Sequence, residues 1–373
     1  MRNSLHPVRQ PADSFRNNAV MAHRNRQSRR DAFTIAEVLV AAAVLLLIVV
    51  LLLNMVTQTS KTWKATTGKI EQFRDARDAF DAMTRRLGQA TLNTYLDYDN
   101  PTNPTAYGRQ SQLRFLSGPI ATILPSVSLP TTNPTMAVFF QAPTGYSTNS
   151  SNSILQNSLN TWGYFIEYGG DAGTKPGFLP SGSPPTRYRY RLMELMEPTE
   201  NMSVYNYTTN SSFTNPYTGN DWITNSMLLT TTRPAHVVAE NIIALILLPH
   251  LSPSDLGTTY DNSSLAPSYT YDSSRTSSLS TNGMLNPHNQ LPPVIQVTLI
   301  AVDETSAIRS TTALQNITNN SPAGYGNLFT NAANFTTDLA QIQTILTSKK
   351  INYRVFTTDV MIRGAKWSGA QTN

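Results

Sequence analysis

The chain of 373 residues contains no cysteine. That excludes a disulfide framework, a thiolate metal site and a cysteine nucleophile, so a folded domain of this sequence rests on an ordinary apolar core, which its length permits. Charge is sparse, at 14% of residues, and unevenly spread. Residues 1–32 hold Arg2, Arg9, Arg16, Arg24, Arg26, Arg29 and Arg30 against Asp13 and Asp31, a sum of +5. The whole chain carries 28 basic and 23 acidic side chains, so the remainder has 21 of each and sums to zero. A neutral remainder lacks the clustered Lys and Arg of an electrostatic nucleic-acid surface, and no nucleic-acid partner is expected. The signatures G-x-S-x-G, H-E-x-x-H and G-x-x-x-x-G-K-[ST] are missing too. His236, His250 and His288 lie far apart, whereas a zinc site wants clustered ligands. Asp97, Asp99 and Asn100 make an oxygen-rich loop without the ordered spacing of a calcium loop, and it reads as a solvated helix-ending turn. Asp303 and Glu304 are adjacent, point to opposite faces of an extended chain, and read as strand-end solvation rather than a catalytic pair. No enzymatic activity, cofactor or metal is expected.

What the sequence does have is one long apolar run. From Phe33 to Leu53 the only charged side chain is Glu37, and there is neither proline nor glycine. About 20 apolar residues suffice to cross the hydrocarbon of a bilayer as a helix. Basic residues flanking such a helix stay on the cytoplasmic side, so the arginine-rich start is expected inside an inner membrane and everything past Leu53 outside it. An ionised carboxylate costs roughly 2.5–3.5 kcal/mol at the centre of a membrane helix and less near its ends, so Glu37 calls for a partner. Three plain readings of the run compete. A secretory signal peptide needs a small-x-small site after its core, which Asn54-Met55-Val56-Thr57-Gln58-Thr59 does not offer. Ser28-Arg29-Arg30 ahead of Phe33 looks like a twin-arginine export signal. An uncleaved anchor would make Glu37 accidental.

The basic leader, the small residue Ala32, and then Phe33-Thr34-Ile35-Ala36-Glu37-Val38 opening the apolar run resemble the processing site of type IV pilins and pseudopilins. The resemblance implies cleavage between Ala32 and Phe33 by a prepilin peptidase/N-methyltransferase and methylation of the new terminus. It also implies an assembly role in which Glu37 pairs with the terminal amine of a neighbouring pilin-like subunit. Ala32 stands where the family usually has glycine, and a leader of residues 1–32 is long for it. Patches further on, among them Tyr164-Phe165-Ile166-Glu167-Tyr168, Ala239-Glu240-Asn241-Ile242-Ile243-Ala244-Leu245 and Arg363-Gly364-Ala365-Lys366-Trp367-Ser368, resemble the Verru_Chthon cassette protein C family. Those prepilin-like proteins are similar in layout to the J-type minor pseudopilin of type II secretion. The function implied is a filament subunit of a pseudopilus or type IV pilus. The alternative is a membrane-anchored surface binding protein, an adhesin or uptake tip, that joins no filament.

The expected class is α+β: a leader over 1–32, a membrane or filament-core helix over 33–53, an amphipathic helix over 54–96, and an antiparallel β-rich head over 97–373. Phe73, Ala76, Phe80, Met83, Leu87 and Ala90 step by threes and fours and mark the buried face of the second helix, which is expected to run to about Tyr95. Strand-like islands follow at Leu113–Leu116, Ala137–Gln141, Trp162–Tyr168, Arg187–Leu195, Val237–Leu248, Val294–Val302 and Tyr353–Ile362. Ala142–Leu159 and Ser252–Pro292 are polar and read as surface loops. A late helix is expected, with Thr337 as cap, Asp338 in its first turn and Leu339, Ile342, Ile345 and Leu346 as its stripe. The membrane-extracted protein should begin at Phe33 with a methylated amine. Intact-mass measurement checks it, and a start beyond residue 55 would support an export signal instead.

Overall fold

The computed structural model of the chain describes residues 33–98, 100, 102–105, 107–123, 135–152, 154–171, 176, 178–180, 185–206, 222–223, 233–256, 260–274, 285–312, 314 and 328–368. The leader, with Ala32 of the expected processing site, lies outside the described residues, as does Asp99 of the acidic loop. The chain divides into two compact units between Thr62 and Trp63.

The first unit holds the start of helix α1 (Ile35–Leu87). Leucine, alanine and valine without a glycine or proline make this stretch a strong helix former. Its best 18-residue window has a mean hydropathy of 3.1, and among the described residues α1 is the one helix long and apolar enough to cross a membrane. Where the run turns polar, the hydroxyls of Thr57, Thr59 and Thr62 donate back to the carbonyls of Leu53, Met55 and Gln58, at 2.6, 2.8 and 3.0 Å. These side chains therefore satisfy themselves on the helix instead of interrupting it.

In the second unit the remainder of α1 becomes amphipathic, as its periodicity predicts. Ala76, Phe80, Met83, Leu87 and Ala90 are buried, while Phe73 is half-buried with the Arg354 guanidinium 5.6 Å from its ring. The helix stops at Leu87, short of the expected Tyr95. The Gly88 carbonyl accepts the Arg363 N–H at 3.1 Å, Gln89 and Ala90 close tight turns onto Arg86 and Leu87, and Thr91 bridges to Gln141. The outgoing backbone thus tightens onto the last turn and then bonds to the head, at Gly88 and Thr91.

The head is built from antiparallel strands, so the α+β class holds. A separate hairpin pairs β1 (Tyr95–Tyr98) with β2 (Tyr107–Gln110). The larger sheet takes β3 (Leu116–Pro119), β4 (Met136–Pro143), β5 (Leu159–Gly170), β6 (Tyr188–Glu197), β7 (Ala235–Glu240) and β9 (Tyr271–Asp272) in the order β7-β6-β5-β4-β3-β9. A smaller sheet has the order β11-β10-β8, from β8 (Ile242–His250), β10 (Val294–Val302) and β11 (Tyr353–Met361). The middle strands β5 and β6 are buried on both faces, which is why neither reads as a clean apolar–polar alternation. Phe139, Gly163 and Leu195 stand in line across β4, β5 and β6. A Cβ on Gly163 would meet the Phe139 ring at 2.5 Å, so the glycine is the space in which that aromatic lies.

Several expectations change. The island Leu113–Leu116 shares only Leu116 with β3. The island Val237–Leu248 is two strands in two sheets, parted by Asn241 in the left-handed region at φ 60°. Asparagine adopts that conformation more readily than other residues with a Cβ. Its N–H donates to the Tyr190 carbonyl at 2.6 Å and its carbonyl accepts from Val302 at 2.9 Å, which ties one sheet to the other. Ser252–Pro292 is not merely a surface loop, because Leu265, Tyr269, Tyr271 and Leu291 sink into the core and Asp272 holds the buried Arg114 at 2.7 Å. Asp303 is not solvated. It is fully buried as the cap of helix α2 (Glu304–Arg309), its side chain accepting the Ser306 N–H at 3.1 Å. The late helix α3 (Phe335–Ser348) starts two residues before Thr337, after a short turn capped by Asn331. Asp338 does lie in its first turn, and its carboxylate accepts the Phe329 N–H at 2.7 Å.

Replacing Asn241 separates backbone from side chain. Asn241→Val forces a β-branched residue into the left-handed region and should lower stability by about 1–3 kcal/mol, plus the lost bond from its side-chain amide to Glu304. Asn241→Gly keeps the turn and loses only that bond, roughly 1 kcal/mol. Urea unfolding of the two variants should rank them in that order.

Candidate functional site

Two sites emerge from the residues upward, one at the start of α1 and one where its end meets the larger sheet. At the first, Thr34 immediately precedes the helix and Glu37 sits in its first turn. The Glu37 Oε2 accepts the Thr34 N–H at 2.9 Å and the Thr34 hydroxyl at 3.0 Å, while the Glu37 N–H donates back to Thr34 Oγ1 at 3.3 Å. This is a capping box, Thr-x-x-Glu closing on itself and satisfying N–H groups that the first turn leaves open. The carboxylate also faces the positive end of the helix dipole. The sequence carries this signal in plain view as Thr34-Ile35-Ala36-Glu37, yet the pilin-like reading of the same residues looks only outward, to a neighbour's amine. Phe33 precedes the box with 84% of its surface exposed, and the apolar side chains that follow, Ile35 through Val56, are exposed along the isolated chain.

At the second site the register of the sheet brings Tyr164, Glu194 and His236 into one row across β5, β6 and β7. Glu194 is buried, and its carboxylate gathers donors from three elements. The Tyr164 hydroxyl donates to Oε2 at 2.5 Å, His236 Nε2 lies 3.1 Å from Oε1, and Arg86 of α1 reaches the same carboxylate. Arg86 also donates to the Tyr164 oxygen at 2.9 Å, and its guanidinium lies 4.3 Å from the Trp162 ring centre. Burial first, and then the Glu194 charge, push the Tyr164 phenol far above its ordinary range, so it stays protonated and remains a donor. The arrangement turns a costly interior carboxylate into the peg on which the helix end hangs.

The opposite face of β6 repeats the device. Arg189 and Arg191 are buried and paired with Glu304 and Glu240. Glu304 also accepts from the Asn241 amide at 2.7 Å. Together with Glu71 and Asp75 of α1, Glu240 and Glu304 line a groove of about 660 Å³. Among the described residues no three His, Asp or Glu side chains come close enough to share a metal ion. His250 and His288 take local partners, the Leu251 carbonyl and the Asn289 amide. Comparison with protein-family models, with curated proteins and with solved structures returned no match.

Arg86→Ala should lower stability by about 3–5 kcal/mol, because it leaves the buried Glu194 carboxylate without its guanidinium. In a Glu194→Gln background the same change should cost far less, giving a coupling of roughly 1–3 kcal/mol in a double-mutant cycle read by denaturant unfolding. Additive effects would mean that the pair does not act as a unit.

Proposed function

We propose that this chain is a minor pilin-like subunit of a pseudopilus or type IV pilus-like filament, held in the inner membrane before assembly. The observation that carries the reading is the isolation of Glu37. It is the one charged side chain in an apolar helix start that, among the described residues, no other part of the chain covers. In this reading the apolar part of α1 waits in the bilayer, with the basic leader cytoplasmic and the β-rich head outside. Cleavage before Phe33 frees an amine next to the capping box. On assembly the apolar surfaces of neighbouring helices replace lipid, and Glu37 pairs with a neighbour's terminal amine. Thr34 occupies Oε2, which leaves Oε1 to receive that partner. The chain's role is then structural, and its partners are other pilin-like subunits, the prepilin peptidase/N-methyltransferase and membrane lipid.

The capping box dictates the test. Glu37→Leu would remove both the box and the charge, whereas glutamine serves in a capping box as well as glutamate does. Glu37→Gln should therefore leave the protein cleaved, membrane-bound and folded, yet missing from sheared filament preparations. Deleting one member of a buried ion pair strands the other, at about 3–5 kcal/mol. Normal incorporation of the glutamine variant, measured by co-purification with its partner subunits, would reduce Glu37 to a helix cap and remove the main support for the filament reading.

A further inference from the structure

The hairpin of β1 and β2 belongs to neither larger sheet. Its register places Leu96 opposite Arg109 and Tyr98 opposite Tyr107, so these four side chains share one face. Leu96, Tyr98 and Tyr107 are 64%, 50% and 62% exposed, and the two tyrosine rings meet edge-on with centroids 5.2 Å apart. Hairpins of two strands are marginal in water alone, and this one spends its aromatic surface on solvent.

Arg109, on the same hairpin face as the tyrosine pair, lines a cleft of about 260 Å³ together with Asn93, Asn289, Gln290 and Lys366. Its lining contains hydroxyls, amides and two cations, and among the described residues no carboxylate. Arg109 is fixed by neutral acceptors, the Lys366 carbonyl at 2.8 Å and the Gln290 side chain at 3.3 Å. Gln290 is itself buried and pinned, donating to the Asn286 carbonyl at 2.7 Å and accepting the Ser368 N–H at 2.8 Å. Both Arg109 contacts use Nη1, so the Nε and Nη2 edge of the guanidinium is left for another acceptor. That edge has the fork geometry that carboxylates match. Lys366, an exposed residue, lines the same cleft.

We propose that this cleft binds an acidic saccharide, one uronate unit seated on Arg109 and Lys366 with the adjoining sugar stacked on the Tyr98–Tyr107 pair. Charge complementarity selects the carboxylate. Of the lining, Asn93 and Thr94 are exposed and Thr91 half-buried, and their amide and hydroxyls offer the mixed donors and acceptors that sugar hydroxyls need. The exposed aromatic pair suits the C–H face of a sugar ring better than the backbone of a peptide. The proposal does not rest on filament assembly, since a subunit that never left the membrane would carry the same cleft.

The test is calorimetric titration of the full chain in detergent with oligogalacturonate, its methyl-esterified neutral form, and polyglutamate. Oligogalacturonate should bind, and the ester should bind about tenfold more weakly or not at all. Lys366→Gln, an exposed position, and Arg109→Gln should each weaken binding about tenfold. Tyr107→Ala should weaken it too, with the near-ultraviolet signal of the core kept in all three variants. Failure of oligogalacturonate to bind, or unchanged affinity in Lys366→Gln, would overturn the proposal. Equal binding of polyglutamate would reassign the cleft to acidic peptides, and equal binding of the ester would remove the role of charge.

Discussion

The contact on which the head depends is the buried carboxylate of Glu194. An ion in an apolar interior costs several kcal/mol unless it is paired and hydrogen-bonded, so the fold must bring its partners to it. They come from far apart in the chain: Arg86 from the end of α1, Tyr164 from β5, His236 from the edge strand β7. Only one register of β5, β6 and β7 puts the tyrosine and histidine beside the glutamate, and a slip of one residue would turn each side chain to the other face. The requirement that Glu194 be satisfied therefore selects strand register and helix position together. It also explains why the end of α1 belongs to the head. A head without residues near Arg86 would leave a charge inside and the face formed by Trp162 and Tyr164 uncovered.

Asn241 solves a different problem, the joining of two sheets without a loop. A strand pairing in the larger sheet must turn into one pairing in the smaller, and one residue in the left-handed region does it. The cost of that conformation is offset by backbone bonds to Tyr190 on one side and Val302 on the other. Its amide then holds Glu304, which holds Arg189, so the turn also neutralises a charge on the buried face of β6. The outer edge of β8 is closed in an equally economical way. The Leu245 and Leu247 N–H groups donate to Thr135 Oγ1 at 3.4 Å and Met136 Sδ at 3.1 Å, which leaves less open edge for unintended pairing.

Much of this was legible in the sequence wherever periodicity acts locally. The steps of Phe73, Ala76, Phe80, Met83 and Leu87 named the buried face of α1, and Val294–Val302 matched β10 to the residue, because both patterns are set by neighbours along the chain. What stayed hidden was set by residues distant in sequence. The burial of Arg189 and Arg191 was hidden because the acids that pair with them, Glu304 and Glu240, come from other elements. Leu265, Tyr269 and Tyr271 are isolated apolar residues in a polar stretch, and no window average reveals that β9 pairs with β3. Asn241 follows Glu240 in the middle of one strand-like island, and a polar pair there does not by itself tell a two-sheet break from a strand with one wet face. The capping box is the exception. It was legible from Thr34 and Glu37 alone, and a stronger outward reading of the same glutamate obscured it.

The two readings of Glu37 are physically complementary. A carboxylate entering the membrane region without any donor would be expelled or protonated, whereas one already bonded to Thr34 and facing a helix N-terminus keeps part of its stabilisation. Because the box takes a single oxygen, it does not compete with a second partner. On the proposed filament reading this separates two demands that seem opposed. The helix must tolerate its charge while it waits in lipid, and it must still gain by leaving. The box lowers the first cost, and a cationic amine supplies the second gain, because an ion pair in low dielectric is worth more than a neutral hydrogen bond. A glutamine in the same place would meet the first demand and fail the second. Thr34 and Glu37 therefore act as one unit, the threonine setting the carboxylate's orientation and the glutamate carrying the charge.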